Sequence, residues 1–102
     1  MEHRMRIEFK DGAYGITLRI DGRYISSAPQ RGQGTPEEEA RRDRLFAADQ
    51  DLGAVLGTGP ANYADHRYVR GWGYALWAWE VEGAQLRNAI GILRGHGFEV
   101  DQ

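Results

Sequence analysis

The sequence predicts an α+β fold: an antiparallel or mixed sheet with two helices packed on one of its faces. Three observations predict it. Residues 5–27 alternate apolar and polar side chains around a strong hairpin signal, Asp21-Gly22. Two later segments, 36–56 and 84–94, repeat their apolar residues at spacings of three and four. Between them, His66 to Glu82 is again strand-like, interrupted at Gly71-Trp72-Gly73. The expected order is β-β-β-α-β-(β)-α-β in one domain spanning residues 1–102.

The N-terminal part reads as a three-stranded meander. Met5, Ile7 and Phe9 alternate with Arg4, Arg6, Glu8 and Lys10, and a turn follows at residues 11–15. Ile16, Leu18 and Ile20 then alternate with Thr17 and Arg19. Asp-Gly favours a two-residue hairpin loop because both positions need φ > 0. That loop sets an expected register in which Ile20 faces Arg23, Arg19 faces Tyr24 and Leu18 faces Ile25. Directly opposed residues share a face. Ile16, Leu18, Ile20 and Ile25 should therefore line the core side, with Thr17, Arg19, Tyr24 and Ser26 on the other.

Residues 28–34 form a loop by composition. Thr35, Pro36 and Glu38 then supply an N-cap, a first helical residue and a capping box. The three glutamates 37–39 complement the positive end of the helix dipole. Spacing of four suggests pairs of Glu37 with Arg41 and Glu38 with Arg42. The predicted core stripe is Leu45, Ala48, Leu52, Val55 and Leu56, and Gly53 marks where the helix would break if it breaks. Tyr63 to Trp79 holds six of the chain's eleven aromatics, and the two partly apolar faces of His66 to Glu82 suit an interior strand. The second helix should bury Leu86, Ala89, Ile90 and Leu93, stop at Gly95-His96-Gly97, and lead into a short strand, Phe98 to Val100.

The chain's 102 residues allow one core. Area scaling puts roughly two thirds of the unfolded surface out of water on folding. With no cysteine, disulfide and thiolate chemistry are excluded. The first residues lack the apolar stretch of a signal peptide, and no run of about 18 apolar residues occurs. The expectation is a cytoplasmic protein without a membrane partner. A net charge of −2 gives no overall attraction to polyanions. Twelve of the thirteen basic residues are Arg, the residue suited to planar anions and aromatic faces, although codon bias alone would produce the same excess.

Motifs for chemistry are missing. His3, His66 and His96 have no metal-ligand spacing, and no HExxH occurs. The glycines from Gly53 to Gly59 lack the Lys-Ser/Thr of a phosphate loop and follow a helix, where a dinucleotide fingerprint needs a strand. No nucleophile elbow surrounds Ser26, Ser27, Thr35 or Thr58. Adjacent Asp65-His66, and the pair Glu80 and Glu82, are non-specific signals. The expectation is therefore no catalytic residue, no metal and no cofactor.

Two surfaces remain. One is the outer face of the meander, with Arg4, Arg6, Lys10, Arg19 and Tyr24 beside Glu8, Thr17 and Ser26. The other surrounds Trp72, which stands between glycines near Arg67, Tyr68, Arg70 and Tyr74. A Trp at a glycine-flanked turn is hard to bury, and Trp, Tyr and Arg are the types enriched in interface hot spots. These nine residues (Arg4, Arg6, Arg19, Tyr24, Arg67, Tyr68, Arg70, Trp72 and Tyr74) are the candidate partner-binding set. The expected function is a non-enzymatic interaction domain that occupies a partner protein's surface. Short, cysteine-free and motif-poor chains of this kind include inhibitors carried by phages and mobile elements, among them anti-CRISPR proteins; that likeness is one of type only. The alternative is a nucleic-acid-binding module using the Arg/Tyr sheet face, although no RNP-type motif accompanies it. An uncovered edge at Phe98 to Val100 would give a route to homodimers.

Overall fold

The computed structural model describes residues 4–56 and 78–101, and the backbone of 63–69 and 74–77. The strands are β1 (Arg4–Gly12), β2 (Gly15–Ile20), β3 (Arg23–Ala28), β4 (Tyr63–Val69) and β5 (Tyr74–Glu82). The helices are α1 (Pro36–Leu56), between β3 and β4, and α2 (Ala84–Gly95), after β5. The five strands form one sheet in the order β3-β2-β1-β5-β4, with every pairing antiparallel. The expected α+β arrangement is therefore the observed one, and β5 is an interior strand.

The period-two pattern determines which face is covered. Met5, Ile7 and Phe9 of β1, Ile16, Leu18 and Ile20 of β2, and Trp79 and Val81 of β5 are buried in one cluster. Leu45, Ala48, Leu52 and Leu56 of α1 join it, together with Leu86, Ala89, Ile90 and Leu93 of α2. Both helices thus lie on the same face. Helix α1 runs unbroken through Gly53, at which an added Cβ would stand 3.8 Å from the Trp79 ring. Val55 departs from the predicted stripe. It lies on the flank of α1 beside the end of α2, and is 50% exposed.

The hairpin turn is as expected, with φ of 51° at Asp21 and 79° at Gly22. The register beyond it is not. Ile20 faces Arg23 and Arg19 faces Tyr24, but a bulge follows, and Leu18 faces Ser26 instead of Ile25. A bulge puts two residues opposite one and shifts the alternation that follows. Ser27, opposite Thr17, consequently replaces Ser26 on the outer face, where its Oγ lies 3.1 Å from the Tyr24 hydroxyl. Ile25 still packs, partly buried, against the core.

The capping box forms. Glu38 N donates to Thr35 Oγ1 at 3.2 Å, and Thr35 N donates to Glu38 Oε1 at 3.0 Å. The predicted use of Arg41 and Arg42 as partners of Glu37 and Glu38 is replaced by reach across the fold. Arg41 donates to the Ser27 carbonyl, and Arg42 donates to the Pro29 carbonyl and to Asp11. Buried or half-buried carbonyls at the end of β3 need donors more than exposed glutamates do. Glu39, in turn, accepts from Gly32 N.

Phe98 to Val100 is not a strand. The Phe98 amide donates back to the Leu93 carbonyl, Gly97 takes φ of 90°, and the chain turns sharply off α2. Phe98 and Val100 are buried as coil, and Arg94 donates to the Val100 carbonyl. The sheet edges are therefore β3 and β4, and the expected dimer route through a C-terminal edge strand is lost.

Candidate interaction surface

Neither helix covers the opposite face of the sheet. On β1 it presents Arg4, Arg6, Glu8 and Lys10, on β2 Thr17 and Arg19, and on β3 Tyr24 and Ser27. The β1–β5 register adds Glu80 and Glu82 to the same face, and Ala78, which is fully buried there. Because β5 lies directly beside β1, the described positions of the second surface lie on the strands that continue the first. Arg67 pairs with Leu76, and Val69 with Tyr74, at outer-face register positions. Tyr68 pairs with Ala75, at an inner-face position, and so separates from the set. Arg70 and Trp72 lie outside the described residues.

The charge on this face is divided. Arg4 Nη1 lies 3.5 Å from Glu80 Oε2, and Arg4 Nε lies 3.7 Å from Glu82. Arg6 Nη1 lies 3.5 Å from the other oxygen of Glu80, and Arg6 Nε lies 3.4 Å from Glu8. One carboxylate therefore bridges both arginines. The cross-strand pairing Arg4–Glu82 and Arg6–Glu80 makes this ladder a direct product of the register. Exposed pairs of this kind contribute at most about 1 kcal/mol each. Their larger effect is to cancel the positive potential that Arg4 and Arg6 would otherwise project.

The other end of the face differs. Arg19 forms no ion pair among the described residues, since Arg6 holds the carboxylate of Glu8, its cross-strand neighbour. Tyr24 stands opposite Arg19 and is 57% exposed. The β1–β2 turn, at the opposite end of β2 from Tyr24, carries Tyr14, 97% exposed, the most exposed large hydrophobic side chain among the described residues. Lys10, Gly12, Ala13, Tyr14, Gly15, Thr17 and Arg19 surround a concavity of about 360 Å³.

The local sequence explains why Tyr14 projects. Gly12 and Gly15 pair across a two-residue loop, Ala13-Tyr14. Gly15 takes φ of 122° and lies so close to the next strand that a Cβ there would stand 2.0 Å from the Ala28 carbonyl. Only glycine fits. The turn is thus pressed against the end of β3 while its tip points away from any apolar neighbour. Tyr14 was not among the expected partner residues. The signal was present: an aromatic in a turn flanked by glycines, the same feature that singled out Trp72.

The sequence candidates for catalysis are dispersed. Asp65 pairs with Ala78 and His66 with Trp77, so the two adjacent residues take opposite-face register positions. Glu80 and Glu82 are each engaged by Arg4. His96 Nε2 lies 2.6 Å from Asp51 and ties the end of α2 to α1, away from this face. Among the described residues no cluster of His, Asp and Glu is arranged to hold a metal ion. None of their helices is long and apolar enough to cross a membrane. No protein-family model, curated protein or solved structure matches the chain.

Proposed function

We propose that this chain is a non-enzymatic interaction domain that acts by occupying the surface of a partner protein. The contact would use the outer sheet face around Arg4, Arg6, Arg19 and Tyr24, continued across the β4–β5 hairpin that carries Trp72. In its sharpest form, occupation blocks the partner, as phage-borne inhibitors do. The observation that carries the reading is the sheet face left bare by both helices, with its balanced Arg–Glu ladder and its exposed Tyr14 and Tyr24. Protein interfaces combine such aromatic and Arg anchors with mixed-charge rims. A nucleic-acid binder needs a track of unshared cations. Here Glu8, Glu80 and Glu82 interrupt the track, so protein is the favoured partner class and nucleic acid the alternative.

The test is site-specific photocrosslinking in cells that express the chain. A benzophenone side chain at Thr17 or Arg19 is expected to give protein adducts, whereas Ala40 and Gln50, exposed on α1, give none. Trp72→Ala should reduce those adducts without unfolding the domain. Adducts that disappear on nuclease treatment would transfer the assignment to nucleic acid. Silence at Thr17 and Arg19 would end the interaction reading for this face.

A further inference from the structure

We infer that the end of the domain formed by the β1–β2 turn and the loop after β3 is a wedge with Arg31 at its apex. It enters an acidic recess of a partner protein, where Arg31 pairs with a carboxylate. The inference rests on the interaction reading and adds a contact beyond the sheet face.

Arg31 stands at the tip of a tight turn. Gln33 N donates to the Gln30 carbonyl at 3.1 Å, and Gly32 takes φ of 82°. Those are the marks of a type II turn, which needs glycine third and leaves the second residue free to project. Arg31 is that second residue. It is exposed, and its guanidinium has no partner among the described residues.

The turn is fastened from several sides. Arg42 Nη1 donates to the Pro29 carbonyl and Gln30 Nε2 to the Gly12 carbonyl, each at 3.2 Å. Gln33 Nε2 donates to Gln30 Oε1 at 3.3 Å, and Gly32 N donates to Glu39. Gly34 lies so close to the start of the loop that a Cβ there would stand 2.5 Å from the Pro29 ring. None of these contacts uses the Arg31 guanidinium. The backbone that carries it is ordered before any partner arrives, so binding has one side chain left to fix.

The bond from Gln30 to Gly12 also joins this turn to the one that carries Tyr14. Gly15, next to Tyr14, abuts Ala28 and Pro29 from the other side. The two apices therefore belong to one rigid end, an exposed arginine and a tyrosine that is 97% exposed. Both are residue types enriched where partners are held most tightly. The arginine fork matches a carboxylate through two parallel hydrogen bonds. The Tyr14 ring suits the apolar rim around it.

The surroundings favour a protein carboxylate over a nucleic-acid backbone. Glu37, Glu38 and Glu39 form the first turn of α1, directly after this loop, and Glu39 already touches the turn. A run of phosphates reaching Arg31 would lie against three like charges, whereas a single carboxylate in a recess meets the fork alone.

The experiment places the benzophenone side chain at Gln33, beside the apex, in cells that express the full chain. The Gln33 adduct is expected to contain the same protein as the Thr17 adduct, identified by mass spectrometry. Arg31→Glu should lower its yield about ten-fold, the loss of one charge-assisted contact, while the urea midpoint stays unchanged. Arg31→Lys, treated with a water-soluble carbodiimide, should become joined to that protein through an amide on an Asp or Glu side chain. In the purified chain, trypsin should cut after Arg31 roughly ten-fold more slowly than in Gln30→Ala, which loosens the turn. Adducts at Thr17 with none at Gln33 would remove the wedge and leave the interaction reading standing. Gln33 adducts indifferent to Arg31→Glu, or no carbodiimide product on an acid, would overturn the carboxylate pairing. Equal cutting of both chains would overturn the rigid turn. Gln33 adducts that vanish on nuclease treatment would overturn the choice of a protein, and silence at Thr17 and Gln33 alike would end both readings.

Discussion

Arg42 lies over Phe46, its guanidinium carbon 4.9 Å from the ring centroid, while the same group reaches both carboxylate oxygens of Asp11 at 3.4 Å. A third contact goes to the Pro29 carbonyl at 3.2 Å. One side chain on the second turn of α1 therefore clamps the end of β1 and the loop after β3. Its side chain is only 12% exposed, so these contacts are shielded from water and weigh more than those of the surface ladder. Arg42→Ala is expected to destabilise the domain by about 2 kcal/mol, read from urea unfolding. Arg42→Lys should recover little of it, because an ammonium neither forks nor stacks in this way. A double-mutant cycle with Asp11→Ala should show a coupling of about 1 kcal/mol.

Gly15→Ala is expected to cost about 3 kcal/mol or more. The positive φ and the backbone carbonyl in the way both oppose the methyl group, and backbone cannot step aside as a flexible side chain can. A domain of this length has a total stability of about 5–15 kcal/mol. The variant should show a markedly lower melting temperature, and a wild-type-like melt would contradict the close packing of the β1–β2 turn on Ala28.

Asp21 does more than fill a hairpin position. Its amide donates to the Arg6 carbonyl at 2.8 Å, and its carboxylate accepts from the Arg6 amide at 2.7 Å. The turn thereby continues the β1–β2 ladder by one rung. Asp21→Ala loses the side-chain bond and strains the backbone, for an expected cost of about 1–2 kcal/mol. Asp21→Asn keeps both features and should lie within about 0.5 kcal/mol of the parent in the same urea series.

Glu80→Gln tests the charge ladder. It removes the carboxylate shared by Arg4 and Arg6 and leaves both arginines with fewer partners. Stability should change by less than about 1 kcal/mol. Retention on immobilised heparin, read as the salt concentration of elution, should rise. Unchanged elution would mean that the ladder does not govern the potential of this face.

Much of this fold follows from residues that act locally. Thr35 and Glu38 start α1 because a capping box needs only its own four residues. Asp21-Gly22 turns the chain because its φ values are intrinsic preferences. What escaped sequence reading depends on neighbours distant in sequence. Alternation gives no mark where a strand gains one residue, so the bulge that puts Ser26 opposite Leu18 was hidden behind an apolar Ile25. Phe98 and Val100 carry a strand-like pattern, yet bury themselves as coil against an existing core. Arg41 and Arg42 had glutamates at helical spacing, but carbonyls of the β3 end and its loop took them instead. At the candidate surface, Arg4 and Arg6 were readable as outward residues, whereas their carboxylate partners on β5 became visible only with the strand order. Tyr14 was legible in principle, from the glycines around its turn.

The bulge in β3 also limits how another molecule can approach. An incoming extended segment needs evenly spaced donors and acceptors along an edge, and β3 offers an interrupted series in which Arg41 already occupies the Ser27 carbonyl. Lengthening the sheet from that side is therefore disfavoured, and a partner arriving there would have to stack upon the sheet. A complex formed that way keeps the strand count of each component, and its strength lies in side chains, which single substitutions can tune one at a time.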